Sequence, residues 1–256
     1  MPFTLSHAAA AIPFRRTRLL PSALVAGCLV PDFEYCLPMG PHGAFGHTFP
    51  GIFFFDLPLA LIFLWLYHRY AKEPLWSWMP QSFRERVSLG PPVLSIDSAG
   101  HFGLIVLSIL IGTATHLFWD SLTHNGYWPY RHFPALGYLV PLPMLPPQPL
   151  FKLLQHGSSI LGLVILWLWW RSRSREIPPV PARDTSTPSG RNRTVLYLIS
   201  LLSLGAGIYC YCVIKGPRLS DGVIARAIVT GMSVFWFAVI LYGAVRSRHP
   251  GAARSA

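Results

Sequence analysis

Between Phe102 and His124 the chain carries an apolar run long enough to cross a bilayer, and the run closes on Thr115-His116-Leu117-Phe118-Trp119-Asp120-Ser121-Leu122-Thr123-His124. A spanning helix must satisfy every backbone polar group internally, so this stretch has few conformations open to it besides a helix. Its ionisable end is expensive: a charged side chain at the bilayer centre costs about 2.5–3.5 kcal/mol on insertion scales, and less near the interface. His116 and Asp120 are four residues apart and share one helix face. A neutral imidazole and a carboxylate so placed suit a divalent cation such as zinc or manganese. The same pair can instead hydrogen-bond to itself or cap the helix end.

Other apolar runs repeat the pattern. Of 256 residues, 52% are hydrophobic and 12% charged, about half the charge of a soluble domain, which makes this a membrane protein by composition. The net charge of +11 is gathered at Arg15–Arg18, Arg171–Arg193 and Arg246–Arg254, each beside an apolar run. That is the positive-inside pattern of a multi-pass protein rather than a nucleic-acid footprint, and no nucleic-acid partner is expected. The four cysteines, Cys28, Cys36, Cys210 and Cys212, form neither a CxxC pair nor a disulfide framework, which removes thiolate zinc sites.

In chain order, Thr4 or Ser6 starts a short helix that Pro13 ends. Residues 19–30 follow three arginines like a signal sequence, but the core is short and holds Pro21. About twelve apolar residues are also few for a full crossing, so the segment is either a half-helix buried in protein or a crossing completed by its flanks. Pro31-Asp32-Phe33-Glu34 then leads into a Pro/Gly/His loop with His42 and His47. Residues 51–68 read as a membrane helix whose Asp56, two residues before Pro58, suits a helix start better than a ligand. Residues 69–100 read as a mixed loop, with Asp97 and Ser98 as N-cap candidates for the helix at 99–119. The aromatic, proline-rich residues 127–156 read as an interfacial loop, and helices follow at 150–170, 194–214 and 223–243.

The expected fold is therefore all-α: a polytopic membrane helical bundle of about five to six transmembrane helices, with short re-entrant or interfacial helices. Three regions follow: 1–170 as a membrane-embedded domain, 171–193 as a basic Pro/Ser-rich cytoplasmic linker, and 194–256 as a two-helix anchor. The arginines place the C-terminus in the cytoplasm and gather Asp32, Glu34, His42, His47, His116, Asp120, His124, His132 and His156 at the opposite face. An Asp on one loop, a His on the next and a His-x-x-x-Asp helix make a plausible site for a hydrolytic zinc ion with an open position for water. Glu34 or His124 is the candidate general base.

PFTLSHAAAAIPF, LVPDFEY, GHTFPGIFFFDLPL, THLFWDSLTHNG and LLQHGSSILG resemble a bacterial integral-membrane family of unknown function, family 4184. That pattern is similar in turn to the YdjM-like membrane-bound metal-dependent hydrolases and, remotely, to zinc-dependent phospholipase C and P1 nuclease. The resemblance, over roughly residues 1–165, implies His7, Asp32, His47, His116 and Asp120 as metal ligands. It implies a bacterial inner-membrane protein that cleaves a phosphoester or lipid-linked substrate with one or two divalent ions, most simply zinc. The second acid of the family's Pro-Asp-x-Asp is Glu34 here, and nothing after His124 supplies a later His-x-x-x-Glu, so a three-zinc site is not expected. His7 poses a conflict: if 19–30 crosses the bilayer, His7 stands on the wrong side of it. Two other functions use the same residues. An ion or proton transporter would spread ionisable groups through the bilayer depth and carry internal repeats, which the sequence lacks. A membrane scaffold would use them only to pack and cap.

Overall fold

The computed structural model describes residues 3–36, 45–87, 94–143, 145–178, 190–214 and 221–248. An amino-terminal 3-10 helix, Thr4–Arg16, leads to α1 (Pro21–Leu29) and a 3-10 segment, Val30–Cys36. Helix α2 follows as one continuous helical run, Phe49–Trp78, then the short α3 (Gln81–Arg84) and the long α4 (Ala99–Thr123). A short α5 (Trp128–His132) precedes an antiparallel hairpin of β1 (Leu139–Leu142) and β2 (Leu145–Pro149). The chain ends in α6 (Leu150–Glu176), α7 (Gly190–Ile214) and α8 (Asp221–Arg248). Among the described residues, five helical segments are long and apolar enough to cross a membrane: Phe49–Trp78, Ala99–His132, Leu150–Glu176, Asn192–Cys210 and Ala227–Arg248. The protein is an all-α polytopic bundle, and its five apolar helices mark it as a membrane protein.

Several boundaries differ from the sequence expectation. The first helix does not stop at Pro13 but runs to Arg16 as 3-10 turns. Thr4 does not cap it; that hydroxyl is used elsewhere, as described below. The α2 run starts at Phe49 with Thr48 as its cap, the Thr48 hydroxyl accepting from the Gly51 amide at 3.1 Å. Asp56 is therefore inside a helix, not at its start. It lies in a π-helical turn, Ile52–Asp56, closed by the Leu57 amide on the Ile52 carbonyl. The wider turn takes up the register that Pro58, which has no amide proton, disturbs next in the chain. The hairpin replaces part of the loop read from 127–156.

Residues 19–30 yield only nine helical residues, α1, too few to cross. α1 is buried against α4 instead. Gly27 and Gly112 make the contact: a Cβ on Gly27 would stand 2.1 Å from the Ile109 carbonyl oxygen, and one on Gly112 2.2 Å from that of Leu24. Small residues let helix backbones approach where lipid offers no hydrophobic drive for association. The Ser108 hydroxyl accepts from the Leu20 amide at 3.0 Å, and the Thr113 hydroxyl donates to the Gly27 carbonyl at 3.3 Å. These bonds satisfy backbone groups at the ends of a helix that never reaches water on both sides.

The described residues divide into two compact units. One comprises 1–34, 39–62 and 96–173, and its core is Ala23, Leu24, Cys28, Val30, Ile105 and Ile109. The other comprises 35–38, 63–95 and 174–256, and centres on Ala71, Ile199 and Val239 with Tyr67, Trp78, Trp236 and Tyr242 around them.

Candidate metal centre

The buried face of α4 runs Ile105, Ile109, Gly112, Thr113, His116, Asp120 and Thr123, a stripe at helical spacing. Its first three turns receive α1. Where α1 ends, the chain turns through Val30-Pro31 and delivers Asp32 beside His116. The His116 ring is held by this junction: Nδ1 is 2.7 Å from the Cys28 carbonyl oxygen. A carbonyl can only accept, so Nδ1 carries the proton and Nε2 presents its lone pair to the cluster.

Four atoms converge there. His116 Nε2 is 3.5 Å from Asp32 Oδ1 and 3.6 Å from Asp120 Oδ2. His47 Nε2 is 3.8 Å and 3.4 Å from the same two oxygens. Their ligand atoms all lie within 4.8 Å of one another, and Asp32, His47, His116 and Asp120 could hold a metal ion. All four side chains are at most 5% exposed.

His7 joins from the 3-10 helix, its Nε2 3.4 Å from Asp120 Oδ1, the oxygen that His47 and His116 do not approach in their contacts with Oδ2. Its ring stacks on His116 with centroids 3.9 Å apart. His7 thus meets Asp120 directly, and α1, at nine residues, is too short to carry the chain across a bilayer between them. Burial, reinforced by the neighbouring His116, pushes the His7 imidazole down to about 4, so the ring is neutral at physiological pH and can offer a lone pair. The 3-10 helix is tied down by the Phe3 amide donating to Ser159 Oγ at 2.8 Å, and by Gly162 of α6, whose absent side chain lets the Ser6 carbonyl come close.

A cation fits this donor set. Asp32 Oδ1, Asp120 Oδ1, His7 Nε2 and His116 Nε2 are buried and accept or donate no hydrogen bond within the described residues. Buried polar atoms are seldom left so, because each costs about 1–3 kcal/mol. Charge-assisted hydrogen bonds measure about 2.7–2.9 Å. The observed 3.4–3.8 Å separations are longer, and near the edges of about 3.3–3.6 Å that a tetrahedron has when each ligand is about 2.0–2.2 Å from a central ion. Two imidazoles and two carboxylates suit a divalent metal ion. Around them, the Thr4 hydroxyl donates to Asp32 Oδ2 at 2.6 Å, leaving Oδ1 to face inward.

The two candidate bases stand differently. Glu34 Oε2 accepts from the Gly46 and Phe45 amides at 2.9 and 3.1 Å and so fixes the loop that carries His47. His124 Nδ1 donates to the Asp120 carbonyl at 3.0 Å, and its Nε2 accepts from the Gln155 amide at 3.2 Å. Both of its nitrogens are occupied. Away from the cluster, His132 is exposed and stacks on Trp128, His156 is exposed, and His42 lies outside the described residues.

One residue was undervalued from sequence. Asp56 is 0% exposed, and neither carboxylate oxygen has a hydrogen-bond partner among the described residues. Gly46, next to His47, separates it from Glu34: a Cβ there would stand 3.1 Å from Asp56 Oδ1 and 3.5 Å from Glu34 Oε2. The signal was present in the sequence, since an acid between Phe55 and Leu57 is uncapped once the helix begins at Phe49.

Fold and site together define a class: a polytopic helical membrane protein with a buried Asp/His cluster able to take a metal ion. The chain belongs to the family described as Domain of unknown function (DUF4184), whose model matches residues 1–244. No curated protein and no solved structure matches it.

Proposed function

We propose that this protein is a membrane-bound, metal-dependent hydrolase of a phosphoester or lipid-linked substrate. The observation that carries the metal half is the set of 3.4–3.8 Å separations among four buried, convergent ligand atoms. The hydrolytic half rests on the likeness of the ligand pattern to the YdjM-like hydrolases and, remotely, to zinc-dependent phospholipase C and P1 nuclease.

Asp32, His47, His116 and Asp120 would hold the first ion, and His7 with Asp120 Oδ1 would begin the site of a second. A divalent ion, zinc by the donor set, supplies Lewis acidity and draws the pKa of water toward about 7. Hydrolysis then needs a group to take a proton from water as its oxygen bonds phosphorus and the ester P–O bond breaks. Glu34 is assigned that role, because Oε1 has only a long 3.5 Å contact with the Phe45 amide, whereas His124 has no free nitrogen. His124 with Gln155 instead braces the carboxyl end of α4. The arginine clusters favour a bacterial inner membrane with the C-terminus cytoplasmic and the cluster toward the outer face.

One competing reading has an observation of its own: His116 Nε2 lies between two carboxylates, as in a buried ion-pair knot. The separations exceed those of charge-assisted hydrogen bonds, which is why the metal reading is preferred. Zinc-loaded protein in detergent, offered a chromogenic phosphodiester, should turn over, and Asp120→Asn and Glu34→Gln should not. Equal rates in wild type and both variants would sink the hydrolase reading.

A further inference from the structure

A carboxylate in a membrane helix faces protein or water and finds a partner there, because lipid cannot solvate it. Asp56 belongs to the helical run Phe49–Trp78, which is long and apolar enough to cross a membrane. Phe53 and Phe54 just before it are 44% and 78% exposed, whereas Asp56 is 0% exposed. Neither of its oxygens has a hydrogen-bond partner among the described residues. The π-helical turn Ile52–Asp56 ends on this residue, and π turns of that kind recur at functional sites. What Asp56 faces is the space above Gly46. A side-chain carbon on Gly46 would stand 3.0 Å from the Pro31 carbonyl oxygen, 3.1 Å from Asp56 Oδ1 and 3.5 Å from Glu34 Oε2. Three oxygens thus surround one point that the glycine leaves free of side chain. Glu34 is half-buried and gives this space its way out to solvent.

We infer that Asp56 and the Pro31 carbonyl, with Glu34 beside them, form a separate cation site for a hard divalent ion of the magnesium, manganese or calcium kind. The donors decide the class: carboxylate and carbonyl oxygens suit those ions, and no imidazole is among them. Asp56 and the carbonyl bind directly. Glu34 Oε2, anchored by the Phe45 and Gly46 amides, supplies the second negative charge across a bound water. Its Oε1 stays available for the proton transfer proposed above. Water on the Glu34 side completes the shell of about six ligands, as it commonly does around magnesium. An ion here also gives the buried Asp56 carboxylate the partner it lacks, since buried charges are paired or coordinate metals. The site borders the loop of His47 but shares no ligand with the Asp32/His47/His116/Asp120 cluster, so it rests neither on zinc nor on hydrolysis there.

The test is manganese binding to the full chain in detergent, loaded at saturating zinc and then freed of excess. Uptake is read as loss of the free-ion signal in electron paramagnetic resonance. Wild type should take up one manganese ion per chain, and excess magnesium or calcium should displace it. Asp56→Asn should weaken that uptake about tenfold or more, and Glu34→Gln by less, with zinc content at saturation and helical circular dichroism unchanged in both. His116→Ala, which removes a ligand from the cluster, should keep the manganese site. No uptake by wild type, or uptake that Asp56→Asn leaves alone, overturns the inference. So does uptake lost in His116→Ala, which would place the ion in the cluster instead. Should Asp56→Asn fail to fold, wild-type manganese affinity in Glu34→Gln overturns it equally. A manganese site that answers to Asp56 in protein without turnover leaves the inference standing while the hydrolase reading falls.

Discussion

Replacing Thr4 by valine removes one hydroxyl from the rim of the cluster and keeps the side-chain shape. That hydroxyl donates at 2.6 Å to Asp32 Oδ2, and the bond turns Oδ1 toward His47 and His116. A hydrogen bond to a charged group contributes about 1.5–3 kcal/mol, and ligand-orienting partners typically alter metal affinity about 10–100-fold. At about 1.4 kcal/mol per decade, the two figures agree on a loss of about one to two decades for Thr4→Val. Zinc affinity is measured by competition with a chromophoric chelator in detergent. Thr4→Ser, which keeps the donor, should behave as wild type, and thermal unfolding in excess chelator should separate affinity from folding. Wild-type affinity in Thr4→Val would refute the claim that Thr4 orients a ligand.

Gly112→Val should lower thermal stability and empty the cluster together, because its Cβ would stand 2.2 Å from the Leu24 carbonyl and 2.8 Å from the Cys28 amide, forcing α1 away from α4; a folded, metal-competent Gly112→Val would contradict the packing argument. Asp56→Asn should keep the fold yet weaken metal binding, since it alters the buried side chain that Gly46, next to His47, stands against; unchanged affinity would make Asp56 a bystander. His7 is held neutral in the folded protein, its pKa lowered to about 4, whereas the unfolded chain takes up a proton near 6.5. Metal-stripped protein should therefore lose stability as the pH falls from about 6.5 to about 4, with no contribution above 6.5. Thermal unfolding of His7→Gln across that window should show a shallower pH slope; an identical slope would count against the buried neutral ring.

What the sequence made legible was whatever hydropathy or helical periodicity encodes. The apolar runs at 51–68, 102–124, 150–170, 194–214 and 223–243 all fall within observed helices, and the i,i+4 spacing of His116 and Asp120 does put them on one buried face. Less legible were features that depend on tertiary contact. Residues 19–30 read equally as a buried half-helix or as a crossing completed by its flanks, and only the glycine-mediated approach of the nine-residue α1 to α4 favours the half-helix. That one packing event brings His7 to Asp120. Asp56 was misjudged because its helix was expected to start near it, when Thr48 caps it a full two turns earlier. The separate duties of Glu34 and His124 rest on bonds to Gly46, Phe45 and Gln155, partners that no spacing rule points to.

The central claim is that Asp32, His47, His116 and Asp120 bind a metal ion. Its most direct test is the metal content, by mass spectrometry, of protein purified without added metal or chelator and then equilibrated with zinc. Wild type should hold one to two ions per chain, and His116→Ala and Asp32→Ala should lose them while keeping their helical circular dichroism. Folded wild type without stoichiometric metal, or variants that bind as wild type does, would contradict the account.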